Sequence, residues 1–394
     1  MTNRQLFLNH IGQTSPDPIG LEIVKASSSK LYDVNGKEYI DLIGGISVCN
    51  IGHANKKVIE AIWRQAENFM HVMVNGELVL SPQTAYAKAL SDHLPSSLNS
   101  VFFTASGTEA TEGAMKLAKR FTGRTNIAAF KNSYHGSTQG SLSIMGDEYW
   151  RNAFRPLLPG ISHLEYNSFE SLDAINNETA CVVAETIQAE AGVIVSERNW
   201  LQALRKKCDE TGALLVFDEI QCGFGRNGSL WAFEQFDVIP DILLLGKALG
   251  GGMPLGGFIS DKKIMDSFTE NPVLGHINTF GGHPVCCAAG LASFEVLLEE
   301  KLIDKVFEKE KLFLQHLQQL PQIKKIRSRG LMMALQFDSY SQNKKVIDGL
   351  LAEGVFTDWF LFASECLRIV PPLIITENEI VKACGAIRKV LSHF

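Results

Sequence analysis

The chain has 394 residues, of which 45% are hydrophobic, 20% charged and 9% aromatic. A length of this order predicts two or three packed units around a sizeable core, since single domains usually hold about 100–200 residues. The net charge of −6 argues against a dedicated nucleic-acid binder and against a membrane-surface protein, both of which carry a basic face.

The first forty residues are polar and turn-rich, and no secretory signal is expected because Met1–His10 lacks a long apolar run. A hairpin is predicted next, with Lys30–Val34 and Glu38–Leu42 flanking Asn35-Gly36. Helical spacing over Val58–Met70 puts Val58, Ala61, Ile62, Ala66 and Phe69 on one face. Short apolar runs then read as strands at Ser100–Thr104, Asn126–Phe130, Thr179–Glu185, Ala213–Asp218, Asp241–Leu245 and Gly256–Ser260. Helical segments at Glu109–Phe121, Tyr149–Phe154 and Trp200–Thr211 separate several of them. This alternation predicts an α/β unit, a mainly parallel sheet with helices on both faces. Asn271–Phe294 has no Asp, Glu, Lys or Arg, but its two Pro, four Gly and two His exclude a spanning helix. One long helix is predicted over residues 285–320. Arg329–Phe337, Leu367–Val370 and Glu377–Ser392 then form an α+β C-terminal unit. The expected division is 1–50, contributing to a small domain, 51–285, a large domain, and 286–394, the C-terminal small domain. Eight Cys with no Cys-x-x-Cys pair predict reduced thiols in a cytoplasmic protein, with no metal cluster.

Three segments carry chemistry. Ser106-Gly107-Thr108-Glu109 stands between a strand and a helix. Ser106 and Glu109 fit a capping box, and a helix start of this kind also attracts a phosphate through its free N–H groups. Leu214–Phe217 is an apolar run that ends in Asp218-Glu219, with Gln221 beyond. A carboxylate at a parallel-strand end lies at the ligand crevice of α/β proteins, where a protonated heteroaromatic nitrogen would partner it; a plain helix cap needs the same Asp. Lys247 follows Leu243–Gly246 and precedes Gly250–Gly252. Desolvation there would favour a neutral amine able to form a Schiff base, although a Lys that merely snorkels to the surface has the same pattern.

These segments stand in order with others: Tyr39–Ile46, Tyr134-His135-Gly136, Glu185–Glu190, Asn278–Gly282 and Leu367–Pro372. With all of them in place the chain resembles, over essentially its whole length, the class III, fold-type-I, pyridoxal-phosphate-dependent aminotransferases of the ornithine, acetylornithine and 4-aminobutyrate group. The resemblance implies a transaminase that moves an amino group from a terminal-amine donor to a 2-oxo acid such as 2-oxoglutarate; an aminomutase on the same fold is the alternative. It implies that Lys247 holds pyridoxal 5′-phosphate and shuttles a proton, and that Asp218 pairs with the pyridine nitrogen. Ser106, Gly107 and Thr108 would hold the phosphate, Tyr134 would stack on the ring beside His135, and Gln221 would meet the phenolic oxygen. Glu185 joins this cofactor-binding set. Thr279 would reach the phosphate of a partner subunit, which implies a homodimer. Arg368 would bind the substrate α-carboxylate, with Glu190 as its partner when the other substrate is present.

Two departures bear on the substrate. Many relatives place Arg straight after His-Gly, whereas here the residue is Ser137, which cannot form a bidentate carboxylate clamp. The segment Met70–Pro82, which lines the substrate entrance in relatives, carries no side-chain pattern that identifies a substrate.

Overall fold

Seven strands make the central sheet, in the order Ser100–Thr104, Gly256–Ser260, Ile242–Leu245, Leu214–Asp218, Thr179–Glu185, Asn126–Phe130 and Ile161–Leu164. Only Gly256–Ser260 runs against the others. The structure is a computed structural model and describes residues 1–74 and 76–394. Asn75, inside the predicted entrance segment Met70–Pro82, lies outside the described residues.

The central strands are buried at every position, as expected of parallel strands covered on both faces. Alternate residues serve opposite cores. Val182, Ala184, Leu215 and Phe217 pack with Trp200, Leu201 and Leu204 of helix Arg198–Thr211. Cys181, Val183, Leu214 and Val216 pack with Ala110, Ala114 and Leu117 of helix Gly107–Thr122. This two-sided cover leaves the carboxyl ends of the strands as the open crevice. The register puts Asp218 beside Glu185 there.

The predicted hairpin forms from Lys30–Asp33 and Glu38–Asp41, with Gly36 at φ 80°. Asp33 Oδ1 accepts from the N–H groups of Asn35 and Lys37 and closes the turn. Glu38–Asp41 also pairs in parallel with Val355–Phe356 from the far end of the chain. A separate four-stranded antiparallel sheet holds Lys325–Ser328, Met333–Gln336, Ala363–Ile369 and Trp359–Phe360.

Several elements differ from expectation. The long helix predicted over 285–320 is broken into Pro284–Glu299, a 3-10 turn Leu302–Lys305 and Val306–Leu317. Lys301 sits in the left-handed region at φ 50° and ends the first ladder. Arg329–Phe337 is not one strand: Gly330, at φ 60°, turns the chain between two paired strands. Tyr149–Phe154 divides into a short α-helix, Glu148–Arg151, and a 3-10 turn. The polar N-terminus contains a helix, Asn3–His10, closed by a Thr2–Gln5 capping box. Helix Ser81–Ser91 and edge strand Ile161–Leu164 were not expected. Among the described residues, no helix is long and apolar enough to cross a membrane, and no group of His, Cys, Asp and Glu is arranged to hold a metal.

Candidate active site

At the end of strand Ser100–Thr104 the chain turns directly into helix Gly107–Thr122. Ser106 Oγ accepts from Glu109 N–H at 3.4 Å, but the Glu109 carboxylate returns to Ala105 N–H at 2.9 Å, one residue earlier than a standard capping box. Ser106 therefore serves the helix start and does not line the adjoining cavity. Gly107 does line it. A Cβ on Gly107 would lie 2.9 Å from Ile220 Cδ1, so a glycine is what lets the helix start pack against the Asp218 turn. Thr108 Oγ1 lies 2.7 Å from Thr138 Oγ1 and accepts from Thr138 N–H at 3.2 Å. Gly136 stands at φ 125°, and its missing Cβ would fall 2.2 Å from Thr108 Oγ1.

These groups form one end of a cavity of about 500 Å³. Tyr134, His135, Glu185, Asp218, Gln221 and Lys247 line the rest. Asp218 Oδ1 accepts from Ile220 N–H at 3.0 Å, and Oδ2 lies 2.7 Å from His135 Nδ1. Burial opposes protonation of His135, yet the hydrogen bond and charge of Asp218 outweigh it and raise the imidazole pKa. The Asp218–His135 contact thus fixes the carboxylate in place at the strand end. Glu185 accepts from Tyr134 N–H at 3.2 Å and Ala189 N–H at 2.9 Å, while burial raises its carboxyl to about 8. Lys247 occupies a left-handed conformation at φ 50°, uncommon for a residue with a side chain. Loss of hydration lowers its pKa, although the charges of Glu190 and Asp218 pull the other way. A depressed ammonium in a crevice is the condition an amine needs to act as a nucleophile.

A second cavity, of about 370 Å³, adjoins the first, and Tyr134 and Lys247 line both. Its other walls are Ile46, Glu190, Asp358, Trp359, Leu361 and Arg368. Arg368 Nη1 and Nη2 each donate to Glu190 at 2.8 Å, a fork that matches the carboxylate. Arg368 is 3% exposed and Glu190 7%, so the pair is a desolvated one. Gln221 Nε2 donates to Glu190 Oε1 at 3.0 Å and Leu361 N–H to Oε2 at 3.0 Å. The Arg368 charge outweighs burial and lowers the Glu190 pKa.

The structure thus gathers Gly107, Thr108, Tyr134, His135, Glu185, Asp218, Gln221 and Lys247 around one cavity, and Glu190 and Arg368 around its neighbour. Thr279 is exposed and lines neither cavity. Ile46, Ile220, Asp358, Trp359 and Leu361 also line the two cavities and escaped the sequence reading. Asp358 left one signal, an acid interrupting the mainly apolar run Val355–Phe362.

Two buried polar atoms lining the first cavity, His135 Nε2 and Gln221 Oε1, have no hydrogen-bond partner among the described residues. Unmet polar atoms of this kind in a crevice point to a bound polar group. The donor set fits pyridoxal phosphate: a helix start for the phosphate, an anion for a ring nitrogen, an aromatic for the ring face and an enclosed amine for the aldehyde.

Comparison with known proteins agrees. The family model described as aminotransferase class-III matches residues 11–391. An acetylornithine aminotransferase of Methanopyrus kandleri is 38% identical over 97% of this chain and 96% of its own length. A [LysW]-aminoadipate semialdehyde/glutamate semialdehyde transaminase of Sulfurisphaera tokodaii is 36% identical, with 94% of each chain covered. Among solved structures, the ornithine aminotransferase of Toxoplasma gondii, which holds pyridoxal phosphate at partial occupancy, superposes with a TM-score of 0.91 at 29% identity, covering 99% of this chain and 93% of its own. The chain belongs to the class-III aminotransferases, and it is an α/β, fold-type-I, pyridoxal-phosphate-dependent transaminating enzyme.

Proposed function

We propose that the enzyme takes the terminal amine of a small linear donor and passes the amino group to a 2-oxo acid, 2-oxoglutarate being the expected acceptor. The observation that carries this reading is the Glu190–Arg368 fork in the cavity that shares Lys247 and Tyr134 with the cofactor site. A closed fork hides the guanidinium from the donor. If Glu190 moves aside, the same Nη edge is presented to an acceptor carboxylate. One pocket then serves two substrates of different charge. The relatives named for acetylornithine, ornithine and semialdehyde substrates support a donor that reacts at its chain end.

Pyridoxal phosphate, when bound, supplies the aldehyde that accepts the amino group and the ring that withdraws electrons from the carbon losing its proton. In this reading Lys247 Nζ removes that proton and returns it on the other side of the transfer. Asp218, steadied by His135, holds a proton on the ring nitrogen. Gly107 and Thr108 anchor the phosphate, and Ser106 holds the helix start that presents them. Tyr134 would cover one ring face, and Gln221 Nε2, which already donates to Glu190, would offer its second N–H to the ring oxygen. Glu185 fixes the Tyr134 backbone.

The reading includes a homodimer in the cytoplasm, built from the parts 1–50, 51–285 and 286–394. The exposed Ile277 and Phe280, which flank the exposed Thr279, support a partner at that surface. A panel of terminal amines, each offered with 2-oxoglutarate and cofactor, tests the function by glutamate formation. No glutamate from any of them would overturn it.

A further inference from the structure

The closed Glu190–Arg368 pair has a third member. Asp358 Oδ1 lies 2.8 Å from Arg368 Nε, on the side of the guanidinium that Glu190 does not use. The segment around Asp358 wraps the arginine. Trp359 C=O accepts from Nη2 at 2.7 Å, the Phe360 ring lies 4.5 Å from Cζ, and Thr357 Oγ1 donates to the Arg368 carbonyl at 2.5 Å. Arg368 is therefore held on sides that Glu190 does not touch, and Asp358 faces it there as a charge contact that adds no hydrogen bond.

Glu190 and Arg368 cancel each other in the closed arrangement. Asp358 adds a second carboxylate to the one guanidinium, lifted by burial to about 6 and so still ionised at neutral pH. Its side chain is 25% exposed, against 4% for Arg368 and 9% for Glu190, and all three line the cavity. The cavity that Asp358 shares with Lys247 is also lined by Ile46, Leu361, Trp359 and Tyr134, which suit a methylene stem. On the other side, Ser137 offers Tyr134 a hydroxyl contact at 3.2 Å and brings no positive charge.

From this geometry we infer that Asp358 selects donors with a second positive charge, that is, linear diamines whose reacting amine lies at Lys247 and whose distal ammonium faces Asp358. A distal carboxylate would meet an acidic wall with its one guanidinium already engaged. A distal ammonium meets a carboxylate in a partly desolvated pocket, where a charge pair discriminates strongly. The inference rests on the transaminase reading above and adds the donor class.

The test uses cofactor-loaded full-length enzyme with 2-oxoglutarate. Linear diamines of three to six carbons are compared with the monoamines of equal length and with acetylornithine. We expect the diamine to exceed its matched monoamine in kcat/KM by about tenfold or more, the scale of one favourable charge pair. In Asp358→Asn, which keeps the shape of the side chain, that ratio should fall towards one. Folding of the variant does not enter the result, because the ratio is taken within one preparation and the wild-type ratio is decisive by itself. A wild-type ratio near one, acetylornithine outrunning every diamine, or an unchanged ratio in Asp358→Asn would each overturn the inference while leaving the transaminase reading intact. Absence of transfer from all donors would overturn both.

Discussion

Arg368 and Glu190, 178 positions apart in sequence, meet in a two-pronged ion pair with both contacts at 2.8 Å. Each is almost fully buried, so loss of Arg368 strands Glu190, whereas Arg368 without Glu190 keeps Asp358 and the Trp359 carbonyl beside it. Buried pairs of this kind are costly to break by halves, about 3–5 kcal/mol when one partner is lost. Retaining such a pair in a pocket beside Lys247 is consistent with a partner that is exchanged during turnover.

Arg368→Lys should damage the acceptor half-reaction selectively. Lys offers a point charge in place of a planar fork. Single-turnover transfer to 2-oxoglutarate should weaken by about 2–4 kcal/mol, or roughly 30- to 1000-fold in rate constant over binding constant. The donor half-reaction should change less. Equal rate constants for wild type and variant towards 2-oxoglutarate would refute the role.

Ser137→Arg should move donor preference towards distal carboxylates. The substitution places a guanidinium beside Tyr134, in the cavity wall. Acetylornithine should gain about tenfold in kcat/KM from one new charge pair, measured against a monoamine in the same preparation. No gain, with the variant folded and cofactor-loaded, would mean that this wall does not meet the distal end of the donor.

His53 and Asp41 should give the fold a pH-dependent tie. His53 Nε2 lies 2.7 Å from Asp41 Oδ2, while Asp41 Oδ1 accepts from the N–H groups of Ile43 and Gly44. Burial works against charge on His53, but hydrogen bonds to Asp41 and Cys49 lift its pKa from 6.5 to about 10. A raised folded pKa means that the native state holds the proton more tightly than the unfolded chain. The contribution is therefore whole below pH 6.5 and fades as pH rises from 6.5 through 10. His53→Gln should destabilise by about 1–3 kcal/mol at pH 6, with the gap to wild type closing by pH 10 in urea unfolding. A gap that stays constant across this range would contradict the assignment.

Much of the cofactor cavity was legible because its parts are local. Strand Leu214–Asp218 declares itself by an unbroken apolar run, and the acid that ends it must fall at the sheet edge. Lys247 follows Leu245 by the same logic, and the Ser106–Glu109 turn marks its own helix. The order of the seven strands was not legible, since it depends on which crossovers pack, and edge strand Ile161–Leu164 has no long apolar run. The break at Lys301 was hidden because a left-handed lysine has no residue signature, unlike glycine. Asp358 was hidden for a different reason. Its meaning comes from the antiparallel pairing of Trp359–Phe360 with Ala363–Ile369, which brings it against Arg368. A lone acid in an apolar run announces burial but not its partner.

The chemistry proposed for this site depends on Lys247 as the amine that carries the cofactor. Incubation with pyridoxal phosphate, reduction with borohydride, proteolysis and mass spectrometry locate the attached group on the chain. The reduced adduct is expected on the peptide containing Lys247, with loss of both adduct and visible absorbance in Lys247→Ala. An adduct confined to another lysine, or an undiminished visible band in Lys247→Ala, would contradict it.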